Sequence, residues 1–132
     1  PQQDFVLEYA LSYMIEEGEI HRFLKKSILI YKNRMNHFCN EIDRLLSDYV
    51  LFDKPSGGFA VYVVLKKEIS LLQLQRQCFM LGLTLPTYIL FQYKSHSGIR
   101  LGFAHMNEEE QTNALIILKN AIEILTKNSA QI

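Results

Sequence analysis

The sequence predicts an α+β fold, in which helices pack on a small sheet of three to four strands that is preceded by a long amphipathic helix. Three observations support this. Apolar residues recur at three- and four-residue steps from Ile20 to Leu46, which is typical of a helix. Residues 59–65 form an apolar run rich in β-branched and aromatic side chains, which is typical of a strand. An Asn followed by three Glu at 107–110 indicates the start of another helix.

The first half of the chain is predicted to be helical. Residues from about 4 to 17 read as a helix that is apolar on much of its circumference, and Gly18 is a natural stop. The second helix is about 28 residues long, hence roughly 40 Å at 1.5 Å per residue. A helix of this length usually spans a small domain. Basic residues in its first half are expected to form a solvated face: Arg22, Lys25, Lys26, Lys32 and Arg34.

The middle of the chain alternates turns with short elements. Residues 53–58 are a turn by composition, and the strand at 59–65 is apolar on both faces, so we expect it to be central in the sheet. Ser70 to Gln73 has the form of a capping box, which opens a short helix that ends at Gly82. Residues 83–85 are predicted to form a short strand that Pro86 stops.

The last third is predicted to contain a loop, a strand and a helix. The loop runs from about 87 to 97, and the strand covers residues 98–104. Asn107 can cap the final helix, and three carboxylates occupy its positive first turn, while Lys127 lies near its negative end. The order is therefore two helices, a strand, a helix, two strands and a helix.

Composition narrows the class of protein. A length of 132 residues suits a single domain over 1–132, and a chain that opens at Pro1 without Met is expected to be a fragment of a longer protein. A net charge of +0 argues against nucleic-acid binding as its main role. We predict a cytoplasmic location with no membrane partner, because the sequence has no long apolar span and no signal peptide. Cys39 and Cys78 are expected to be free, buried thiols.

Motifs for catalysis or metal binding are absent from the sequence. No two of the four histidines have a metal-ligand spacing, so no metal site is predicted. No Gly-x-Ser-x-Gly turn is present, and Ser56 to Gly58 precedes a strand instead of a helix, which does not fit a phosphate site. Residues 108–110 are explained as partners of the helix dipole. We therefore assign no catalytic residue.

Arg100 is the main candidate for ligand binding. It lies inside an otherwise apolar strand, between Ile99 and Leu101. Burying an arginine is costly unless it meets an anion. Two interpretations remain open from the residues alone. Arg100 is either an exposed or ion-paired residue, or a guanidinium held for bidentate binding of a carboxylate.

Three segments in this order resemble the C-terminal portion of fold-type I aminotransferases, over about residues 7–125. The first is Gly-Glu-Ile-His-Arg-Phe-Leu-Lys-Lys, which starts at Gly18 and continues through Arg34. The second is Pro-Ser-Gly-Gly-Phe at 55–59. The third is Gly-Ile-Arg-Leu-Gly-Phe-Ala at 98–104, followed by Asn-Glu-Glu-Glu at 107–110. The pattern is most similar to the MocR branch of the GntR transcriptional regulators. Those proteins join a winged helix-turn-helix to an aminotransferase-like domain.

This resemblance implies a C-terminal small domain, whose partners are the large aminotransferase-like domain and a winged-helix domain of the same parent chain. It implies a homodimeric parent that binds pyridoxal phosphate and an amino-acid-like ligand, and that binds DNA only through the winged-helix domain. Arg100 would hold the carboxylate of that ligand. Gly57, Gly58 and Tyr88 would face the cleft between the small and large domains.

The resemblance also implies what this chain lacks. Relatives hold the cofactor on a Schiff-base lysine in a Ser/Thr-x-x-Lys context, and neither Lys54 nor Lys94 fits that context. The chain alone is therefore expected neither to hold pyridoxal phosphate tightly nor to transaminate. The parent is expected to be a MocR-type regulator. The alternatives are a pyridoxal-phosphate-dependent aminotransferase, or a freestanding interaction module that uses the first helix as its partner surface.

Overall fold

The computed structural model of the chain describes residues 19–130. Contacts divide the chain into two compact units, residues 1–33 and 34–132. The helix predicted at residues 4–17 lies outside the described residues. The elements follow in the order α1 (Ile20–Leu46), β1 (Val50–Leu51), β2 (Ala60–Leu65), α2 (Leu71–Met80), a 3-10 turn (Thr87–Ile89), β3 (Leu90–Tyr93), β4 (His96–Gly102) and α3 (Glu108–Ala130).

The long amphipathic helix is confirmed as α1, which has 27 residues. Its apolar stripe is used differently along its length. The second half buries Phe38, Cys39, Ile42 and Leu46. The first half carries large apolar side chains that are between 42% and 58% exposed: Phe23, Leu24, Ile28, Leu29 and Ile30. None of the helices within residues 19–130 has a stretch apolar and long enough to span a bilayer.

The four strands form one antiparallel sheet in the order β1-β2-β4-β3. The predicted central position of β2 is confirmed, because β2 lies between β1 and β4. Side chains alternate across the sheet, so Val61 and Val63 are fully buried while Tyr62 between them is 42% exposed. In β4, Ile99 is buried and its neighbour Arg100 is exposed. The predicted α+β class with a small sheet is therefore confirmed.

In the unit at residues 34–132, the core lies between the helices and one face of the sheet. Buried side chains come from all three helices and from the inward face of β2 and β4. Those with an exposed fraction below 2% include Phe38, Ile42, Leu46, Leu74, Leu115, Leu118, Ile122, Val61, Ile99 and Phe103. The open face of the sheet, which carries Tyr62 and Arg100, lies on the other side.

One polar side chain is fully buried within this core. Gln111 of α3 is 0% exposed. Its Nε2 donates to the backbone oxygens of Arg34 at 3.1 Å, Phe103 at 3.2 Å and Met106 at 3.3 Å. Its Oε1 lies 2.7 Å from His37 Nδ1. The amide therefore joins α1, α3 and the β4–α3 connection, and it satisfies backbone groups that water does not reach.

The prediction of a strand at Leu83–Leu85 is wrong, because these residues form no strand. Ser70 does cap α2 by accepting from Gln73 N at 3.3 Å, but the chain leaves this helix through a Schellman turn. Gly82 takes a positive φ of 99°, and Leu83 N donates to Cys78 O at 2.8 Å. Leu85 O accepts from the side chain of Gln75 at 2.7 Å. The backbone of this segment is thus bonded to helix α2 instead of to a strand.

The predicted loop at 87–97 is also wrong, because it contains the 3-10 turn, β3 and the start of β4. The last pair of the β3–β4 hairpin is Tyr93 with His96, so the turn has two residues. Lys94 has a φ of 51° in this turn. The sequence shows no Asn-Gly or Asp-Gly there, which is the usual signal for such a hairpin. Strand β1 was missed because it has only two residues.

The predicted Asn107 cap of α3 is confirmed, and with Glu110 it forms a capping box. Asn107 Oδ1 accepts from Glu110 N at 2.9 Å, and Asn107 N donates to Glu110 Oε1 at 3.1 Å. We expect Asn107→Ala to lower the free energy of unfolding by about 1 kcal/mol, measured by urea denaturation. Asn107→Asp keeps the cap and is expected to lose less. A loss no larger than that of Asn113→Ala, in the exposed part of the same helix, would contradict this role.

Candidate carboxylate-binding site

A cavity of about 490 Å³ lies beside the C-terminal end of β4, within the unit at residues 34–132. Its buried wall includes Leu101, Leu115 and Leu118. Phe59 and Tyr88, which are 67% and 80% exposed, also line it. The cavity exists because β3 pairs with β4 only up to Ile99, so the segment at residues 83–89 is not part of the sheet.

Arg100 lines this cavity and is exposed. It lies opposite Tyr62 in the pairing of β2 with β4, on the face of the sheet away from Ile99. Its guanidinium has no hydrogen bond or ion pair with any residue in the range 19–130. A planar group with five N–H donors that is not paired with an acid is suited to bidentate binding of a carboxylate.

Glycines flank Arg100 on the same face of β4. A Cβ on Gly98 would overlap Tyr62 Oη and Cζ, so only glycine lets the Tyr62 ring lie over the strand at this point. Tyr62 Oη is 2.8 Å from His96 Nε2, which fixes the ring. A Cβ on Gly102 would meet His105 Cε1 at 3.5 Å, His105 Nδ1 at 3.7 Å and Phe59 O at 3.9 Å, which are ordinary contacts. Gly98 therefore makes room for the Tyr62 ring, and Gly102 leaves space on the other side of Arg100.

The structure brings together two of the four residues that the sequence proposed for the site. Arg100 and Tyr88 line the same cavity. Gly57 and Gly58 are not among its lining residues, although Phe59 directly after them is. Gly58 has a φ of 84°, a conformation that favours glycine, so the turn itself explains why a glycine is present at this position. The binding role of Arg100 and the position of all four residues toward a domain cleft stay predictions.

Sequence reasoning missed several residues of the cavity wall. Phe59 belongs to the Pro-Ser-Gly-Gly-Phe segment, so that motif could have indicated Phe59 as a residue of the site. Leu83 and Leu85 were assigned to a strand, and nothing in the local sequence indicates that Met106 or His105 lines a cavity. These residues come together only through the paths of the Schellman turn and the β4–α3 connection.

The charges of the cavity are simple. Among the described lining residues, Arg100 is the sole lysine or arginine and no carboxylate is present. The other polar side chains there are Thr84 and His105, apart from the Tyr88 hydroxyl. Pyridoxal phosphate needs a lysine for covalent attachment and an acid near its ring nitrogen. The described residues of this cavity therefore do not fit that cofactor on their own, although they fit a carboxylate.

The two cysteines are not candidate nucleophiles. Both are free and buried, as the sequence predicted. Burial raises the pKa of the Cys78 thiol to about 11, and burial also raises the pKa of Cys39. A thiol with a raised pKa stays protonated near neutral pH and reacts slowly. Within residues 19–130, no cluster of three or more His, Cys, Asp or Glu side chains could hold a metal ion.

Solved structures of aminotransferases share this fold. The α-aminoadipate aminotransferase LysN from Thermus thermophilus matches with a TM-score of 0.69 and 18% identity, over 92% of this chain. A multiple substrate aminotransferase from Thermococcus profundus matches with a TM-score of 0.69 and 20% identity, over 87% of this chain. The valine-pyruvate aminotransferase AvtA from Salmonella typhimurium matches with a TM-score of 0.68 and 19% identity, also over 87%.

These matches cover only a part of the solved proteins. The chain spans 30% of the length of LysN, 29% of the Thermococcus enzyme and 32% of AvtA. No protein-family model and no curated protein matches the sequence. At identities of 20% or less, the likeness shows that the chain has the fold of an aminotransferase domain.

Proposed function

We propose that this chain is the small domain of a pyridoxal-phosphate-dependent, aminotransferase-like protein, and that Arg100 binds the carboxylate of its amino-acid ligand. The observation that carries the proposal is that Arg100, a residue lining a mostly apolar cavity, has a guanidinium with no hydrogen bond or ion pair among residues 19–130. The fold shared with solved aminotransferases supports it. The LysN structure is described as complexed with N-(5'-phosphopyridoxyl)-L-leucine, which joins the cofactor to an amino acid.

The surroundings of Arg100 explain why it would bind a carboxylate. Its position in β4, paired on one side with β2, holds its backbone rigidly. A hydrogen bond to a charged group contributes about 1.5–3 kcal/mol, and a bidentate pair adds geometric selectivity for a planar carboxylate. The apolar wall of the cavity lowers the local dielectric, which strengthens the attraction. Arg100 is thereby suited to orient a ligand, while the chemistry of the amine requires other groups.

The cofactor would be held by the remainder of the parent protein. Pyridoxal phosphate supplies an electron sink for amino-acid chemistry, and a protein must attach and orient it. No lysine lines the cavity beside Arg100 among the residues described. The role we assign to this chain is to bind and orient the carboxylate, next to a cofactor that is attached elsewhere.

We further propose that the parent is a MocR/GntR-type transcriptional regulator. The motifs at residues 18–34 and 98–110 favour this reading. The parent would be a cytoplasmic homodimer that binds DNA through a winged-helix domain, with an amino-acid-like effector bound at Arg100. An effector changes DNA binding only if its affinity differs between two conformations of the protein. DNA binding by the full-length protein that responds neither to pyridoxal phosphate nor to amino acids would contradict this.

The alternative is a metabolic aminotransferase, and the names of the similar solved structures favour it. In that case Arg100 would orient a substrate for turnover. Incubating the full-length protein with amino donors and keto acids distinguishes the two, because only the enzyme forms the new amino acid in repeated cycles.

Arg100→Gln tests the carboxylate role in either case. We expect the affinity of the full-length, cofactor-loaded protein for L-leucine to fall roughly 10- to 100-fold, since one charge-assisted pair is lost. Arg100→Lys keeps the charge and is expected to recover only part of the affinity, because the bidentate geometry is missing. Cofactor absorbance measures binding.

Arg76→Gln removes an exposed guanidinium of helix α2 and is the matched control. It is expected to bind L-leucine like the unmodified protein. An Arg100→Gln protein with the same affinity as the Arg76→Gln protein would overturn the proposed role of Arg100.

A further inference from the structure

We infer that Tyr62 is a second ligand-contact residue beside Arg100, on the open face of the sheet, and that His96 positions the Tyr62 ring. This role rests on the proposed binding of a carboxylate by Arg100. It adds an aromatic wall against which the bound ligand packs. The register of the strands and the contacts of the Tyr62 side chain carry it.

The strand register places Tyr62 and Arg100 side by side. Tyr62 in β2 is the direct partner of Arg100 in β4, and both side chains are exposed on the face of the sheet opposite to Ile99. Directly opposed residues of antiparallel strands have Cβ atoms about 4.5–5.5 Å apart. An anion that pairs with Arg100 on this face therefore has Tyr62 as its neighbour across the strands.

The Tyr62 ring is held in one place although it lies on the surface. Its hydroxyl is 2.8 Å from His96 Nε2, and the Tyr62 and His96 rings are nearly parallel, with planes 13° and centroids 6.1 Å apart. Phe91 meets the ring edge-on, with centroids 5.8 Å apart. A Cβ on Gly98 would overlap Tyr62 Oη and Cζ, so the ring lies directly over Gly98. A side chain that is already fixed by its neighbours loses little freedom when a ligand binds to it.

One side of the Tyr62 ring is turned toward Arg100. His96, Gly98 and Arg100 follow one another on the same face of β4, because side chains alternate across a strand. The ring lies over Gly98 with His96 stacked on one side, so its other side is turned toward Arg100. Two residues of an extended strand span about 6.5 Å. This is close to twice the contact distance of about 3.5–4.0 Å between carbon atoms, so one layer of ligand atoms fits there.

The strands carry no acid that would compete with a ligand for Arg100. No aspartate or glutamate occurs in any of the four strands, β1 to β4. Arg100 has no hydrogen bond or ion pair within residues 19–130. The guanidinium is thus available to the ligand carboxylate, while the Tyr62 ring covers the hydrocarbon next to that carboxylate. Tyrosine suits this role because it offers a large, rigid contact surface.

Titration of the full-length, cofactor-loaded protein with L-leucine tests both residues, and cofactor absorbance measures binding. Tyr62→Ala removes the wall, and we expect the affinity to fall roughly 10-fold, since buried aromatic contacts dominate many binding sites. His96→Ala keeps the ring but removes its hydrogen bond, and a fall of roughly 3-fold is expected. Tyr62→Phe removes the same hydrogen bond and is expected to match His96→Ala.

Gly98→Ala displaces the ring without changing Arg100 or Tyr62. The added Cβ overlaps Tyr62 Oη and Cζ, so the ring must leave its place over the strand. We expect a loss of affinity of roughly 10-fold, like that of Tyr62→Ala. In a protein that already carries Tyr62→Ala there is no ring to displace, so Gly98→Ala is expected to change the affinity less than about 2-fold. A merely structural effect of Gly98→Ala on the strand would persist in the double variant.

Tyr93→Ala is the matched control. Tyr93 is an exposed tyrosine that pairs with His96 in the β3–β4 hairpin, and its ring contacts Lys94. This variant is expected to bind L-leucine like the unmodified protein. Adding Tyr62→Ala to an Arg100→Gln protein is expected to change the affinity less than about 2-fold, because the ligand is no longer held beside the ring. Circular dichroism confirms that each variant is folded.

Failure of this inference is distinct from failure of the carboxylate role. If Arg100→Gln weakens L-leucine binding while Tyr62→Ala binds like Tyr93→Ala, the contact role of Tyr62 is wrong and the carboxylate role stands. If Tyr62→Ala weakens binding while His96→Ala and Tyr62→Phe do not, positioning by His96 is wrong. If Arg100→Gln leaves the affinity unchanged, the carboxylate role is wrong, and the role of Tyr62 beside it is overturned as well.

Discussion

Replacing Gln111 with leucine is expected to lower the free energy of unfolding by about 3 kcal/mol. The substitution preserves most of the volume but removes every hydrogen bond of a side chain that is 0% exposed. Backbone oxygens of Arg34, Phe103 and Met106 lose the Gln111 Nε2 donor, although Phe103 O still accepts from Met106 N at 3.3 Å, and His37 Nδ1 loses its partner Gln111 Oε1. A buried polar group left unpaired costs about 1–3 kcal/mol, so several together exceed the effect of a lost surface contact.

Urea denaturation of the purified chain measures this loss. Asn113→Leu makes a similar amide-to-leucine change at an exposed position of α3, and its effect is expected to stay within about 0.5 kcal/mol. If both variants lose equally little, then Gln111 does not hold the core in the way that its contacts indicate.

Replacing Phe103 with alanine is expected to cost about 3–5 kcal/mol. Phe103 directly follows β4, is 0% exposed, and its ring centroid lies 6.0 Å from that of Phe38 in α1. The truncation leaves a cavity that the surrounding sheet and helices fill only partly. Phe38 also lines the cavity beside β4, so we expect the variant to weaken L-leucine binding as well.

Calorimetry or urea denaturation of Phe103→Ala provides the measurement. Phe103→Leu is the control, because it retains much of the volume and is expected to lose clearly less. A loss below about 1 kcal/mol for the alanine variant would show that this ring is not central to the core. The effects of Gln111→Leu and Phe103→Ala are not expected to add, since Gln111 Nε2 donates to Phe103 O.

The sequence determined the elements whose signals are local. Helix α1 was predictable because its apolar residues keep a helical period over 27 residues. The start of α3 was predictable because Asn107 and Glu110 satisfy each other across one turn. Strand β2 and the strand that holds Arg100 were predictable from continuous apolar runs. From these elements the α+β class and the small sheet follow.

The tertiary structure alone decided the composition of the site. Arg100 could be exposed, ion-paired or free to bind a ligand, and the choice depends on which side chains surround it after β4 pairs with β2. The cavity requires the segment at residues 83–89 to leave the sheet, which follows from hydrogen bonds to Cys78 and Gln75 that no strand pattern records. Local sequence reports contacts within a turn or a strand, whereas a binding site depends on contacts between residues distant in the chain.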